Sequence, residues 1–103
     1  MPDGHRIRLR GAWDVSPLPD GRVRHARRFG HPRTLDPGER AFLTCDSLPA
    51  LATVSVNGTV VGHPDGAFEI DITSAMQLRN EVTIDIPDGA AVGEVALVFR
   101  MRV

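Results

Sequence analysis

The sequence of 103 residues contains no lysine, no tyrosine, one tryptophan and one cysteine. The single cysteine, Cys45, excludes an intrachain disulfide bond, which fits a reducing compartment. No apolar run is long enough for a signal peptide or for a membrane-spanning helix, which needs about 20 residues. We therefore expect a soluble, cytoplasmic protein that has no membrane as a partner.

All twelve basic residues are arginine, which we attribute to the codon usage of a GC-rich bacterial genome. Eight of them lie in the first third of the chain: Arg6, Arg8, Arg10, Arg22, Arg24, Arg27, Arg28 and Arg33. A basic cluster can attract nucleic acid. These arginines alternate with apolar residues, however, so they indicate solvated strand faces whose charges pair with the more acidic remainder of the chain. We expect no nucleic-acid partner.

The dominant pattern in the sequence is alternation with a period of two, which is typical of strands with one buried face. Clear examples are Ile7 to Leu9, Phe68 to Ile72, Val82 to Ile86 and Val95 to Val103. Turn signals rich in Pro, Asp and Gly separate these runs. The pattern predicts an all-β sandwich, or jelly roll, of about eight antiparallel strands.

Two local signals are specific. Asn57-Gly58 between two apolar runs predicts a β-hairpin, because a type I′ turn needs positive φ at both central residues. Asn57-Gly58-Thr59 also matches a glycosylation acceptor, but the turn explains these residues better. The segment from Thr73 to Leu78 predicts one short helical turn, with the Thr73 hydroxyl accepting a hydrogen bond as its cap.

Several strings, taken in order, resemble the N-terminal sugar-binding domain of family two glycoside hydrolases, the family of β-galactosidases and β-glucuronidases. The strings are Ile7–Val15 with its Leu-x-Gly-x-Trp pattern, Arg27–Phe29, Ala41–Thr44, Ala52–Gly62, Phe68–Thr73 and Arg79–Ile84. The resemblance implies a galactose-binding-like β-sandwich over residues 6–103. We expect residues 1–5 to form a flexible N-terminus, as chain ends often do. It also implies a scaffold role beside a catalytic barrel that carries the catalytic carboxylates.

The residues give little support to catalysis. Glycoside cleavage needs a pair of carboxylates, and the candidates are Asp46, Asp65, Glu69 and Asp71. Of these, Asp71 is better explained by a structural role at a strand–turn junction. Cys45 lies in a predicted strand and is expected to be a small core residue. His25, His31, His63 and Asp65 match no metal-ligand spacing. We therefore predict no catalytic residue, no metal site and no cofactor.

Carbohydrate binding remains as a functional hypothesis. Sugar sites combine an aromatic platform with polar groups that bind hydroxyls. Trp13, Phe68 and Phe99 are assigned to core positions, which leaves Phe29 or Phe42 as platforms. The candidate ligand-binding residues are Arg24, His25, Arg27, Asn57, His63 and Asp65.

The leading interpretation is a non-catalytic domain that binds a glycan or another protein subunit. The alternatives are a structural or homo-oligomerising accessory module and an isolated fragment of a glycoside hydrolase.

Overall fold

The computed structural model describes residues 4–11, 13–30 and 35–101. They form nine strands and one 3₁₀ turn, Thr73–Ala75. The strands are β1 (Gly4–Arg8), β2 (Asp14–Pro17), β3 (Arg22–Gly30), β4 (Glu39–Cys45), β5 (Thr53–Val56), β6 (Thr59–Gly62), β7 (Phe68–Asp71), β8 (Arg79–Pro87) and β9 (Val95–Met101). No helix in this part of the chain is long and apolar enough to cross a membrane.

The strands form two antiparallel sheets, a four-stranded sheet in the order β1-β9-β4-β7 and a five-stranded sheet in the order β2-β3-β8-β5-β6. The predicted all-β sandwich is therefore confirmed, but the described residues contain nine strands where the sequence predicts about eight. The strand count is hard to predict because all four residues of β2 are exposed. A strand without a buried face carries no alternating hydrophobic signal.

The core lies between the two sheets and follows from the period of two. In β4, Ala41, Leu43 and Cys45 are buried and the residues between them are only half-buried. Inward side chains of β8 and β9 meet them in one cluster that includes Val82, Ile84, Ile86, Leu97 and Phe99. Cys45 and Phe99 are core residues, as predicted, and Phe68 packs against the same cluster.

The β5–β6 hairpin has the predicted turn. Asn57 and Gly58 have φ values of 52° and 82°, so both central residues are in the left-handed region that a type I′ turn requires. The Asn57 side chain also fixes the neighbouring segments, since its Nδ2 donates to the Ala75 carbonyl oxygen and to Asn80 Oδ1. The hairpin is therefore joined to β8 by side-chain as well as main-chain hydrogen bonds.

The predicted cap at Thr73 is wrong. Thr73 is the first residue of the 3₁₀ turn, and no side chain caps this turn. The Thr73 hydroxyl accepts a hydrogen bond from the backbone N–H of Ala41 on β4 and donates one to Asp71 Oδ1. A tertiary contact with β4 has thus replaced the local cap. The predicted structural role of Asp71 at the strand–turn junction is confirmed by these contacts.

Four of the seven arginines that the structure describes in the first third pair with carboxylates of the acidic remainder, in line with the expected pairing: Arg6, Arg8, Arg24 and Arg28. Most of these pairs lie on the outer faces of the two sheets. Examples are Arg24 with Asp85 at 2.8 Å, Arg8 with Glu94 at 3.0 Å and Arg28 with Glu81 at 3.7 Å.

Candidate binding site

A cleft of about 530 Å³ opens between the two sheets at the edge formed by β1, β2 and β3. We call it the Trp13 cleft. Its walls come from three separate segments: Leu9, Arg10 and Trp13 between β1 and β2, His25 on β3, and residues 90–95, which lead into β9. Its volume is within the range of about 300–1,000 Å³ that is common for small-molecule sites.

The indole of Trp13 is held in place at this cleft. Its Nε1 donates a hydrogen bond to the Leu9 carbonyl oxygen at 3.0 Å. The side chain is half-buried and packs against the core cluster, and it also lines the cleft. The sequence interpretation assigned Trp13 to the core alone and therefore missed its contribution to the cleft. The available signal was that Trp is rarely fully buried.

His25 and Arg10 supply polar groups at the same cleft. His25 lies opposite Ile84 in the register of β3 and β8, so it is on the inward side of the five-stranded sheet. Within residues 4–11, 13–30 and 35–101, the His25 ring and the Arg10 guanidinium form no side-chain hydrogen bond or ion pair. Their donors and acceptors are thus available to a molecule in the cleft.

Two of the other candidate residues lie together on the opposite, outer face of the five-stranded sheet. Arg24 makes two hydrogen bonds to Asp85, at 2.8 and 2.9 Å, which raise the pKa of its guanidinium. His63 Nδ1 is 3.3 Å from Thr53 Oγ1, and Thr53 lies opposite Asp85 in the sheet. Arg24 and His63 are therefore on the same face of the sheet, away from His25.

The remaining candidate residues are dispersed, and the polar atoms of two of them already form hydrogen bonds within the protein. Arg27 donates to the carbonyl oxygens of Arg10 and Arg28, each at 2.7 Å. Asn57 is bound within the hairpin network, and Asp65 is exposed in the loop between β6 and β7. Of the six candidate ligand residues, His25 alone lines the Trp13 cleft.

Three of the four carboxylates considered for glycoside cleavage have structural partners: Asp46, Glu69 and Asp71. Hydrogen bonds from Arg100 lower the pKa of Glu69. Burial raises the pKa of Asp71, but hydrogen bonds from Thr73 and Arg40 outweigh it and give a lowered value. A general acid needs the opposite shift, toward neutral pH.

Cys45 has the environment of a core residue. Burial raises the pKa of the Cys45 thiol, and its Sγ donates to the Ser47 carbonyl oxygen at 3.2 Å. The residues that the structure describes contain no group of three or more His, Cys, Asp or Glu side chains that could hold a metal ion. His31, one of the histidines considered above, lies outside those residues.

Known proteins were compared with the chain at the levels of sequence and fold. No protein-family model and no curated protein matches the sequence. Solved structures with the same fold include the β-D-glucuronidase of Dictyoglomus thermophilum, with a TM-score of 0.79, 14% identity and coverage of 100% of this chain and 29% of the other.

Two further structures give the same result. The match to the β-glucuronidase of Bifidobacterium dentium has a TM-score of 0.76 and 19% identity, and it covers 96% of this chain and 30% of the glucuronidase chain. The match to a glycosyl hydrolase family 2 member from Bacteroides cellulosilyticus has a TM-score of 0.60 and 20% identity, and it covers 77% of this chain and 13% of the hydrolase chain. The chain thus spans less than a third of the length of these proteins. The predicted resemblance to a domain of family two glycoside hydrolases is confirmed at the level of the fold.

Proposed function

We propose that the chain is a non-catalytic module that binds a neutral carbohydrate in the Trp13 cleft. The observation that carries the proposal is the convergence of one anchored aromatic side chain with unengaged polar groups in a cleft of about 530 Å³. The similarity in fold to domains of glycosidases supports a carbohydrate as the ligand class.

The chemistry of the cleft suits a pyranose. The apolar C–H face of a sugar packs on an indole ring, while hydroxyl groups need donors and acceptors at its edge. Trp13 offers the ring, His25 offers a nitrogen donor or acceptor, and Arg10 offers guanidinium donors. One aromatic group and two polar side chains support binding in the millimolar range, which corresponds to about 4 kcal/mol.

The single tryptophan makes the proposal directly testable by intrinsic fluorescence. Methyl β-galactoside is titrated into the full chain, and we expect a saturable change in Trp13 emission with a millimolar dissociation constant. Replacing His25 with Ala removes a hydrogen bond to the sugar and weakens binding about fivefold, the equivalent of about 1 kcal/mol. Isothermal calorimetry provides an independent affinity.

The matched control is His63→Ala, because His63 is on the outer face of the same sheet and does not line the cleft. It should bind the sugar as well as the unmodified chain does. The proposal is wrong if neither fluorescence nor heat changes at tens of millimolar sugar, or if the two histidine substitutions weaken binding equally.

A second candidate is an interaction module that assembles with a separate catalytic chain. The observation in its favour is that the chain shares its fold with one part of larger glycosidases, of whose length it spans between 13% and 30%. Light scattering distinguishes a homo-oligomer from a monomer. The gene neighbourhood provides a second test, because a catalytic barrel encoded in the same frame would identify the chain as one part of a glycoside hydrolase.

A further inference from the structure

Asn57 and Gly58 form the one Asn-Gly pair in the sequence, at the turn of the β5–β6 hairpin. The pair is chemically labile as well as turn-forming, because glycine has no Cβ to shield its backbone nitrogen from the side chain that precedes it. Asn57 is half-buried and Gly58 is exposed, so water reaches the turn. The other asparagine of the chain, Asn80, is buried and is followed by a glutamate.

The reaction open to this pair is deamidation. The backbone nitrogen of Gly58 attacks Cγ of Asn57 and loses its proton, and Nδ2 leaves as ammonia, which closes a cyclic imide. A water molecule then opens the ring at either carbonyl group and leaves aspartate or isoaspartate at position 57. The net change replaces an amide, which has donors, with a carboxylate that can only accept hydrogen bonds.

In the folded chain, hydrogen bonds hold the Asn57 side chain away from this reaction. Its Nδ2 donates to the Ala75 carbonyl oxygen and to Asn80 Oδ1, both at 2.9 Å, and its Oδ1 accepts from the Glu81 backbone N–H at 2.8 Å. These partners belong to the 3₁₀ turn and to β8. Rotating the side chain onto the Gly58 nitrogen would break these hydrogen bonds, and polar groups that lose their partners in this way are costly.

The backbone of the turn acts in the same direction. Asn57 and Gly58 are both in the left-handed region, and the Asn57 N–H donates to the Glu81 carbonyl oxygen at 2.8 Å. Ring closure requires rotation about the Cα–C bond of Asn57, which the turn fixes. The attack therefore needs an opening of the hairpin away from β8.

The product of the reaction cannot restore the network. Asn80 Oδ1 also accepts from the Gln77 N–H, and Asn80 Nδ2 donates to the Gln77 carbonyl oxygen, both at 2.8 Å. The Asn80 amide therefore cannot turn over to offer a donor without losing both bonds. A carboxylate at position 57 would face the Ala75 carbonyl oxygen and Asn80 Oδ1 as one acceptor against two others.

We propose that Asn57 is a site of spontaneous deamidation that the folded hairpin protects, and that the modification, once made, permanently loosens the hairpin from β8. Opening of the hairpin exposes the site, and the new carboxylate hinders its closure. The inference does not rest on sugar binding, because neither Asn57 nor any of its hydrogen-bond partners lines the Trp13 cleft.

The test compares the folded chain with the chain unfolded in guanidinium chloride, at the same mildly alkaline pH and temperature. Trypsin cuts after arginine and so places Asn57 in the peptide of residues 41–79 and Asn80 in that of residues 80–100, where mass spectrometry assigns each deamidation. We expect Asn57 to react at least about tenfold faster in the unfolded chain, where its hydrogen bonds are absent. Gly58→Ala should slow the reaction in the unfolded chain. Equal rates in the folded and unfolded chains would overturn the proposed protection.

Asn80→Ala tests the local network, since it removes one of the two acceptors of Asn57 Nδ2. Arg24→Met is the matched control, because it weakens the Arg24–Asp85 pair of the same sheet and touches no partner of Asn57. With each folded variant held at the same interval below its Tm, we expect Asn57 to deamidate at least about threefold faster in Asn80→Ala. Equal rates in the two variants would show that global unfolding controls the reaction and would contradict the local protection.

Asn57→Asp reproduces one product and tests the consequence of the modification. Its Tm should be lower than that of the unmodified chain by about 4 °C or more, the effect expected for the loss of one hydrogen bond in a domain of this size. Gln77→Glu is the control, since it makes the same change from amide to carboxylate on an exposed side chain, and it should leave the Tm unchanged. The proposed loosening is wrong if Asn57→Asp melts together with the unmodified chain, or if both variants lose the same amount.

Discussion

Asp85 departs from the alternation of inward and outward residues along β8, since it is buried between two buried isoleucines. It points to the outer face of the five-stranded sheet, yet its side chain is only 6% exposed because Arg24 covers it. Replacing Arg24 with Met leaves this carboxylate covered but without its partner. We expect the free energy of unfolding to fall by about 2–3 kcal/mol, measured by urea denaturation.

The matched control for this substitution is Arg28→Met on the same strand. Arg28 and Glu81 are separated by 3.7 Å with side chains 89% and 47% exposed, so this pair should contribute less than about 0.5 kcal/mol. Equal losses in the two variants would show that burial of Asp85 does not determine the strength of its pair.

Glu69 makes the stability of the protein dependent on pH. Arg100 donates two hydrogen bonds of 2.6 Å to its carboxylate and lowers its pKa from the ordinary 4.5. A carboxylate with a lowered pKa in the folded state stabilises the fold above 4.5, and this contribution is lost as the pH falls through the folded-state value. The Tm should therefore decrease below pH 4.5, and Glu69→Gln should show a smaller decrease.

Arg100→Gln removes the other partner of the same pair and should also reduce the loss of Tm in acid. Parallel curves of Tm against pH for the unmodified chain and for Glu69→Gln would contradict the role assigned to this pair.

At the scale of elements, the β5–β6 hairpin combines a backbone requirement with a side-chain network at Asn57. Asn57→Gly keeps the positive φ but removes hydrogen bonds to Ala75, Asn80 and Glu81. We expect it to lower the free energy of unfolding by about 1–3 kcal/mol. Asn57→Ala should cost about 1 kcal/mol more, because it also places a side chain unsuited to the left-handed region there. The account would be contradicted if chemical denaturation gave Asn57→Ala a free energy of unfolding equal to or higher than that of Asn57→Gly.

The loop before β9 connects stability to the Trp13 cleft through Gly93. A Cβ at this position would overlap Asp46 Oδ1 and would lie 2.9 Å from the backbone N and O of Ser47. Gly93→Ala should therefore displace the loop, lower the free energy of unfolding by about 1–3 kcal/mol and weaken sugar binding. Gly30→Ala is the control, since its Cβ would meet open space. Unchanged denaturation and sugar titrations for Gly93→Ala would contradict the tight packing of this loop.

Elements of the fold were predictable from sequence where the signal is local. Alternation identified β7, β8 and β9, and the Asn57-Gly58 turn follows from backbone conformation. The 3₁₀ turn was located, but its cap was not, because the Thr73 hydroxyl bonds to β4, which is distant in sequence.

The cleft could not be predicted in the same way. Trp13, His25 and residues 90–95 meet only because β1 and β9 belong to one sheet and β3 to the other. Alternation says which way a side chain points but not which loop will face it. Trp13 was accordingly interpreted as a core residue, and the candidate residues Arg24 and His63 were grouped with His25 although they lie on the other face of the sheet.

At the scale of the whole molecule, ion pairs offset the positive charge of the arginine-rich segment, and the chain as a whole has a net charge of −1. Arg24, Arg8 and Arg100 are engaged with Asp85, Glu94 and Glu69 on the outer faces of the sheets. Such internal pairing reduces the positive field that nucleic acid would require.

The central claim, that the Trp13 cleft binds a neutral sugar, is tested most directly by mapping methyl β-galactoside on the amide and indole resonances of the ¹⁵N-labelled chain. We predict saturable shifts at the Trp13 indole N–H, at Leu9 and His25, and in residues 90–95, with little change on the outer face at Arg24 and His63. The absence of shifts at tens of millimolar sugar, or shifts confined to that outer face, would contradict the account.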